Sequence, residues 1–317
     1  MTKPGNATGD RAYACQRLCI SSVRQVAFSI KGSPVLADKA QFDIFERAIS
    51  PAPAPVPRSL LVFAHPDDET IALGARLANF GNAHMVHVTD GAPRNELDSR
   101  QHGFATLADY RRARALELAN VLDAAGLSDV SRECLRVPDQ EACRNLALLT
   151  RTIARIIRQQ RPEVIFTHPF EGGHPDHDAC AFAVHHALLL LGLNPQPLVI
   201  EAAFYHAGPD GLEAGTFVPG HPVPQSAELR LTPEELRRKC GLLSLFTSQR
   251  ETLAGFPPEV ERYRVAPEYD FGRPPHDPPV LYDRYPWGTN SDEFLRLSSE
   301  AETLLNLRVA ASCRSAS

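Results

Sequence analysis

The sequence predicts an α/β chain built on an open, mainly parallel sheet with helices on both faces. Two observations predict it. From residue 59 onward, short apolar runs of strand length alternate with longer segments whose apolar residues recur at helical spacing. One such run, Leu60-Leu61-Val62-Phe63-Ala64, leads directly into His65-Pro66-Asp67-Asp68-Glu69. A polar cluster at the C-terminal end of a buried strand is where open α/β sheets gather ligands.

Taken in order, residues 1–57 form an N-terminal extension. Within it, 23–30 reads as a strand or a helix, 42–49 as a short amphipathic helix, and the Pro/Ala-rich stretch 51–57 as an extended spacer. The domain that follows spans 58–250. Strand one is 60–64, followed by a helix over about 69–80; strand two is 83–88, ending at Thr89-Asp90-Gly91. A helix over 107–125 stops at Gly126, as a C-terminal glycine should stop it. Strand three is 134–137, with Asp139 just beyond. Leu146, Leu149, Ile153, Ile156 and Ile157 mark a helix over 145–160. Strand four is 163–167, a helix follows over 176–191, and strand five is 198–204. Thr232-Pro233-Glu234-Glu235 opens a further helix to about 246, with Thr as cap and Pro at the first position. Residues 251–317 are expected as a C-terminal extension packing on this domain. Its 251–292 part is rich in Pro and Tyr and reads as loops or short strands over the sheet edge, before a last helix over 292–307.

In a Rossmann-like strand order, 3-2-1-4-5, strands one and four are neighbours at the topological switch point. The first cluster follows strand one. A second, His174-Pro175-Asp176-His177, stands beyond strand four. The two motifs are therefore expected to meet in one crevice, as a metal site at the C-terminal ends of strands one and four.

Composition narrows the class. The apolar fraction is 43%, the charged fraction 22%, and 33 basic against 38 acidic side chains leave a formal charge of −5. These are values of an ordinary globular protein, and without a dense basic run no nucleic-acid groove is indicated. No apolar stretch has the length of a membrane span. The N-terminus, with Arg11, Arg17, Arg24 and Lys31, lacks the apolar core of a signal peptide. Seven cysteines without a C-x-x-C pair read as reduced thiols in a cytoplasmic protein.

The chemistry follows from the donor types. Catalytic zinc takes three protein ligands and keeps a position for water; His65, Asp68 and His177 supply that set. Such an ion acidifies its water and polarises a carbonyl, which makes amide or ester hydrolysis feasible near neutrality. Asp67 is placed to take a proton as general base, and His174 to stabilise an oxyanion or protonate a leaving amine. Asp176 is a candidate to orient one of these histidines from behind. Taken alone, His-Pro-Asp-Asp would also serve as a helix cap with a turn proline; two such clusters at adjacent strand ends are harder to ascribe to capping. Asp139 is a candidate to touch substrate or to hold a loop. Arg94 and Asn95 are candidates to hydrogen-bond a polyol, against the plainer reading of a solvated loop. His168 is expected either to line the crevice wall or to pack. His84, His87, His185 and His186 read as structural, and His102, His206, His221 and His276 as loop residues.

The pair Ala64-His65-Pro66-Asp67-Asp68-Glu69 and His174-Pro175-Asp176-His177 resembles the PIG-L/LmbE-like family of zinc-dependent N-acetylglucosaminyl deacetylases. Weaker matches fall in order: Thr89-Asp90-Gly91, Arg114-x-x-Glu117, Pro138-Asp139, Lys239 and Ser248-Gln249. The resemblance implies a divalent metal, usually Zn2+ with Fe2+ as an alternative, held by His65, Asp68 and His177, with Asp67 as base and His174 as electrophile or acid. It further implies removal of acetyl from an N-acetylglucosamine unit of a small-molecule amino-sugar conjugate. Alternatives are an amidase or esterase acting on a non-sugar substrate, or a non-catalytic sugar-binding module. Two departures matter: Gly74-Ala75 replaces a Gly-Gly pair, and Glu171-Gly172-Gly173 lacks the tyrosine some members use at the oxyanion.

Overall fold

A computed structural model describes residues 28–31, 39–50, 56–277 and 279–307. The elements in chain order are β1 (Phe28–Lys31), α1 (Lys39–Ile49), β2 (Ser59–Phe63), α2 (Asp68–Leu73), β3 (His84–Thr89), α3 (Leu97–Gln101) and α4 (Leu107–Ala124). Then come β4 (Ser131–Val137), α5 (Leu146–Gln160), β5 (Val164–Thr167), α6 (Pro175–Leu191) and β6 (Leu198–Ala202). The remainder is β7 (Tyr205–Gly208), β8 (Gly211–Ala214), β9 (Ser226–Arg230), α7 (Pro233–Leu243), α8 (Arg250–Leu253), β10 (Val260–Val265) and α9 (Ser291–Leu304).

The main sheet runs β1-β9-β10-β6-β5-β2-β3-β4. Its parallel part, β4-β3-β2-β5-β6, has the expected order 3-2-1-4-5, with expected strand one now β2 and strand four now β5. β2 and β5 pair in parallel register, Leu60 opposite Ile165 and Leu61 opposite Phe166. Every residue of β2 is buried because both faces are covered. Leu61 and Phe63 pack in one core with α1, α2, α4 and α7 residues such as Phe45, Leu73, Val121 and Leu242. Leu60 and Val62 pack in the other with α5, α6 and α9 residues such as Ile153, Phe182 and Phe294. The period-two alternation of one strand thus divides the two layers.

Several boundaries differ from expectation. The helix expected over 69–80 stops at Leu73, and a 3-10 turn covers Leu77–Phe80. The Lys239 side chain crosses over Gly74 to donate to the Ile71 carbonyl at 2.7 Å, and a Cβ on Gly74 would lie 2.9 Å from its Cγ. Expected strand three begins three residues earlier, at Ser131, because an edge strand carrying exposed Ser131, Arg132 and Cys134 shows no apolar run. α7 ends at Leu243 and not near 246. The stretch beyond 250 supplies β10, which is hydrogen-bonded between β6 and β9 as an antiparallel strand inside the sheet. His206 lies in β7 and not in a loop. Of the N-terminal stretches, 28–30 falls in β1, while 23–27, most of the spacer, Cys15, Cys19 and Cys313 lie outside the described residues. No helix among the described residues is long and apolar enough to cross a membrane.

Candidate metal centre

The two polar clusters meet where β2 and β5 end. Asp68 begins α2, and its Oδ2 accepts from the His65 backbone N–H at 2.7 Å, closing the His-Pro-Asp-Asp turn. The same oxygen lies 3.3 Å from His65 Nδ1 and 3.3 Å from His168 Nε2; Asp68 Oδ1 lies 3.6 Å from His177 Nε2. His177 comes from the first turn of α6, so the crevice joins residues from both motifs. His65 Nε2 faces Asp139 at 3.1 Å and Asp176 at 3.3 Å. Asp176 is fixed in turn by the backbone N–H groups of Gln140 (2.6 Å) and Ala142 (2.9 Å). It therefore backs His65, and it ties the loop after β4 to α6.

His174 is the N-cap of α6. The Asp176 N–H donates to His174 Nδ1 at 3.1 Å, so the neutral ring carries its proton on Nε2. That outward N–H is a hydrogen-bond donor held at a helix N-terminus. The loop before it is pinned by Asp178, whose Oδ1 accepts from the N–H groups of Glu171 and Gly172. Asp67 is buried, and its Oδ2 accepts from Arg114 Nη2 at 3.1 Å. Arg114 reaches it from α4 through a gap left by Gly91, where a Cβ would sit 2.8 Å from its Nε.

Charge is finely divided here. Burial pushes the Asp67 carboxyl up to about 7, against the Arg114 guanidinium and with the help of the Asp68 charge. Burial also opposes ionisation of Asp68, yet His168 and His177 outweigh it and hold that carboxyl well below its ordinary value. Burial drives His174 and His177 down to about 3, with His65 and His168 adding repulsion. His65 goes the other way: burial lowers it, but Asp139, Asp176 and Asp68 outweigh that and hold it well above its ordinary value. Three carboxylates thus converge on a point that favours a positive charge.

A divalent cation fits this donor set. His177 Nε2 is a buried nitrogen without a hydrogen-bond partner, aimed at Asp68. Three overlapping groups have donor atoms within 4.8 Å of one another: His65, His174 and His177; His65, Asp139, His174 and Asp176; and Asp68, His168 and His177. The expected set, His65, Asp68 and His177, spans the first and third, with His177 common to both.

Asp139 joins the centre, facing His65 and, at 4.0 Å, His174 Nε2. Arg94 and Asn95 do not. Arg94 is exposed and pairs with Glu141 at 3.3 Å, and Asn95 accepts from the Leu97 N–H of its own loop. His168 is fully buried, stacks on His177 with ring centroids 3.8 Å apart and accepts from the Ala64 N–H, so of its two expected roles it packs, behind His177. His87 is bound to buried Glu69 and His84 to Ser131 and Glu133, both structural. Sequence reasoning missed the Arg114–Asp67 contact. Its signal was a charged residue on the buried stripe of α4, beside Tyr110, Glu117, Leu118 and Val121. It also missed Trp287, whose ring lies 4.6 Å from that of His174, and Tyr205, 5.2 Å from His177. Neither carries a local signal.

Residues 60–188 match the PIG-L family, described as GlcNAc-PI de-N-acetylase. A curated relative from Kineococcus radiotolerans, a 1D-myo-inositol 2-acetamido-2-deoxy-alpha-D-glucopyranoside deacetylase, is 29% identical over 187 residues, covering 48% of this chain and 49% of its own length. A probable N-acetyl-alpha-D-glucosaminyl L-malate deacetylase 2 from Bacillus anthracis is 27% identical over 150 residues, covering 46% of this chain and 65% of its own length. The chain thus spans about half the length of the first relative, 49%, and somewhat more of the second. Among solved structures, a deacetylase of teicoplanin biosynthesis superposes with a TM-score of 0.52 at 19% identity, over 67% of this chain and 99% of that one. The deacetylase of the A40926 pseudoaglycone gives 0.51 at 18%, over 66% and 96%. These likenesses show the fold. The resemblance read from the two motifs holds over the matched segment.

Proposed function

We propose that this chain, PIG-L-like over residues 60–188, is a metal-dependent hydrolase that removes acetyl from an N-acetylglucosamine-type conjugate. The observation that carries this reading is the orphaned Nε2 of His177, buried 3.6 Å from Asp68 at the junction of the two motifs. His65, Asp68 and His177 would hold the ion, for which we propose Zn2+ on the donor types, two imidazoles and one carboxylate; the relatives' names support deacetylation. When bound, the ion would polarise the acetyl carbonyl and acidify a water.

The chain's own residues supply the rest. Asp67, next to the ligand Asp68 but bound to Arg114 and not to a histidine, is free to take the proton of the attacking water. Arg114 fixes the carboxylate through one oxygen, Oδ2, which leaves Oδ1 as the proton acceptor in this proposal. His174 Nε2–H is the donor for the developing oxyanion, its tautomer set by the Asp176 N–H. Asp139 and Asp176 hold the His65 ring in place from behind. A reducing, cytoplasmic setting is part of the proposal and rests on the spacing of the seven cysteines, none in a C-x-x-C pair.

The test is amine release from a panel of N-acetylglucosaminides by zinc-loaded protein and by Asp67→Asn, with metal content measured in both. Loss of ~100- to 10,000-fold in rate at unchanged metal content is the expected result for a general base. A variant as active as wild type would overturn the role of Asp67, and a metal-loaded wild type silent on every amino sugar would overturn the substrate class.

A further inference from the structure

Five arginines converge on one cleft of about 740 Å3 between α4 and the edge strand β4: Arg94, Arg111, Arg112, Arg132 and Arg136. The interior strands fill this face of the sheet with Leu61, Phe63 and Met85. On β4 the same face carries Arg132, Cys134 and Arg136, in period-two alternation. Helix α4 answers with Arg111 and Arg112 on the facing wall, above Ala115 and Leu118.

The compensation is incomplete. Two carboxylates line the cleft, Asp90 and Glu133. Asp90 is taken by Arg111 at 2.6 Å, while Glu133 lies 3.1 Å from His84 and 3.8 Å from Arg155. Arg94 and Arg112 pair at the rim with Glu141 and Asp109. Arg132 and Arg136 make no ion pair among the described residues, and both are exposed. On a chain of net charge −5 this is a local concentration of positive charge. Pro66 and Pro138 also line the cleft, and they are the chain neighbours of His65, Asp67 and Asp139. The cleft and the metal centre therefore share a wall.

We infer that this cleft binds the anionic end, phosphate- or carboxylate-bearing, of the conjugate whose amide reaches the metal centre. The inference rests on the deacetylase reading for the word conjugate; anion binding itself does not. Guanidinium forks match both oxyanion types bidentately, and Arg132 and Arg136 line the cleft without an ion pair of their own among the described residues.

The experiment is calorimetric titration of the full chain with methyl phosphate and with succinate. Wild type is compared with an Arg132→Gln/Arg136→Gln double variant and with Asp68→Asn. Both arginines are exposed on an edge strand, so the double variant keeps the fold. Binding of either probe, weakened about tenfold or more in the double variant and kept by Asp68→Asn, is expected. No binding of either probe, binding indifferent to the two arginines, or binding lost only in Asp68→Asn overturns the inference, the last because the anion would then sit on the metal. A kinetic arm compares N-acetylglucosamine 1-phosphate with the neutral methyl glycoside. Preference for the anionic sugar in KM, falling about tenfold in the double variant, is expected, and equal KM values overturn the substrate half. Should neither sugar be hydrolysed, the deacetylase reading fails, and the titration still decides the cleft.

Discussion

A methyl group on Gly173 would collide with the carbonyl of Tyr205, so the chain can pass from β5 to α6 along its observed path only with glycine there. That path delivers His174 and His177. Gly173→Ala is expected to cost ~1–3 kcal/mol of stability by overpacking, measured by urea denaturation, and to lower amine release more than stability alone explains, because the second motif would shift as a unit. Full activity in the variant would mean that the loop relaxes without moving His174. At this scale much was legible. His65, Asp67, Asp68, His174, Asp176 and His177 stand out in sequence as polar residues where apolar runs end, and the structure brings them together. Arg94 and Asn95 stand outside the metal centre, since a loop following a strand end need not fold back over the crevice; here its arginine pairs with Glu141 at the rim of the neighbouring cleft. Trp287 was invisible because nothing near it in sequence predicts that it reaches His174.

At the scale of elements, α2, α7 and β10 are tied together by one buried carboxylate. Glu261 on β10 accepts from Lys239 Nζ and the Ala75 N–H, both at 3.0 Å, and from the Tyr263 hydroxyl at 2.9 Å. Arg76 lies 3.6 Å away, and its Nη1 donates to the Ile49 carbonyl on α1. Burial opposes the Glu261 charge, but Lys239 and Arg76 outweigh it and lower its pKa below the ordinary 4.5. A lowered acid contributes stability that is present above its unfolded pKa and is lost as pH falls through the folded one. Glu261→Gln is therefore expected to destabilise by ~3–5 kcal/mol at neutral pH, with the difference from wild type shrinking below about pH 4.5. Unfolding curves at several pH values check this, and a difference independent of pH would contradict it. β10 itself was not legible as a sheet strand. Val260-Glu261-Arg262-Tyr263-Arg264-Val265 has charged residues at alternate and adjacent positions, and what makes it a strand is this set of buried partners, supplied from far along the chain.

For the whole molecule, strand order decides function. Placing β2 beside β5 is what converts two separate motifs into one centre, and that neighbourhood was expected from the strand-helix alternation read as a Rossmann-like order. The antiparallel extension β10-β9-β1 was not, because no crossover rule constrains where such strands join. If the centre holds a divalent ion, removing it should leave the converging carboxylates Asp68, Asp139 and Asp176 without their counter-charge. Chelation is then expected to lower the melting temperature and added zinc to restore it. The stabilisation would be about 4 kcal/mol at a thousandfold excess over Kd, and it would be absent in Asp68→Asn. Identical melting with and without chelator would contradict a structural share for the ion.

The most direct measurement is the metal content of purified wild type beside His177→Ala, with circular dichroism to show that both are folded. His177 is the residue through which the second motif reaches Asp68 of the first. The account predicts one divalent ion per wild-type chain, with affinity falling by about a hundredfold or more when this ligand is removed. A folded His177→Ala that holds its ion as tightly as wild type would contradict the claim that the two motifs build one metal centre.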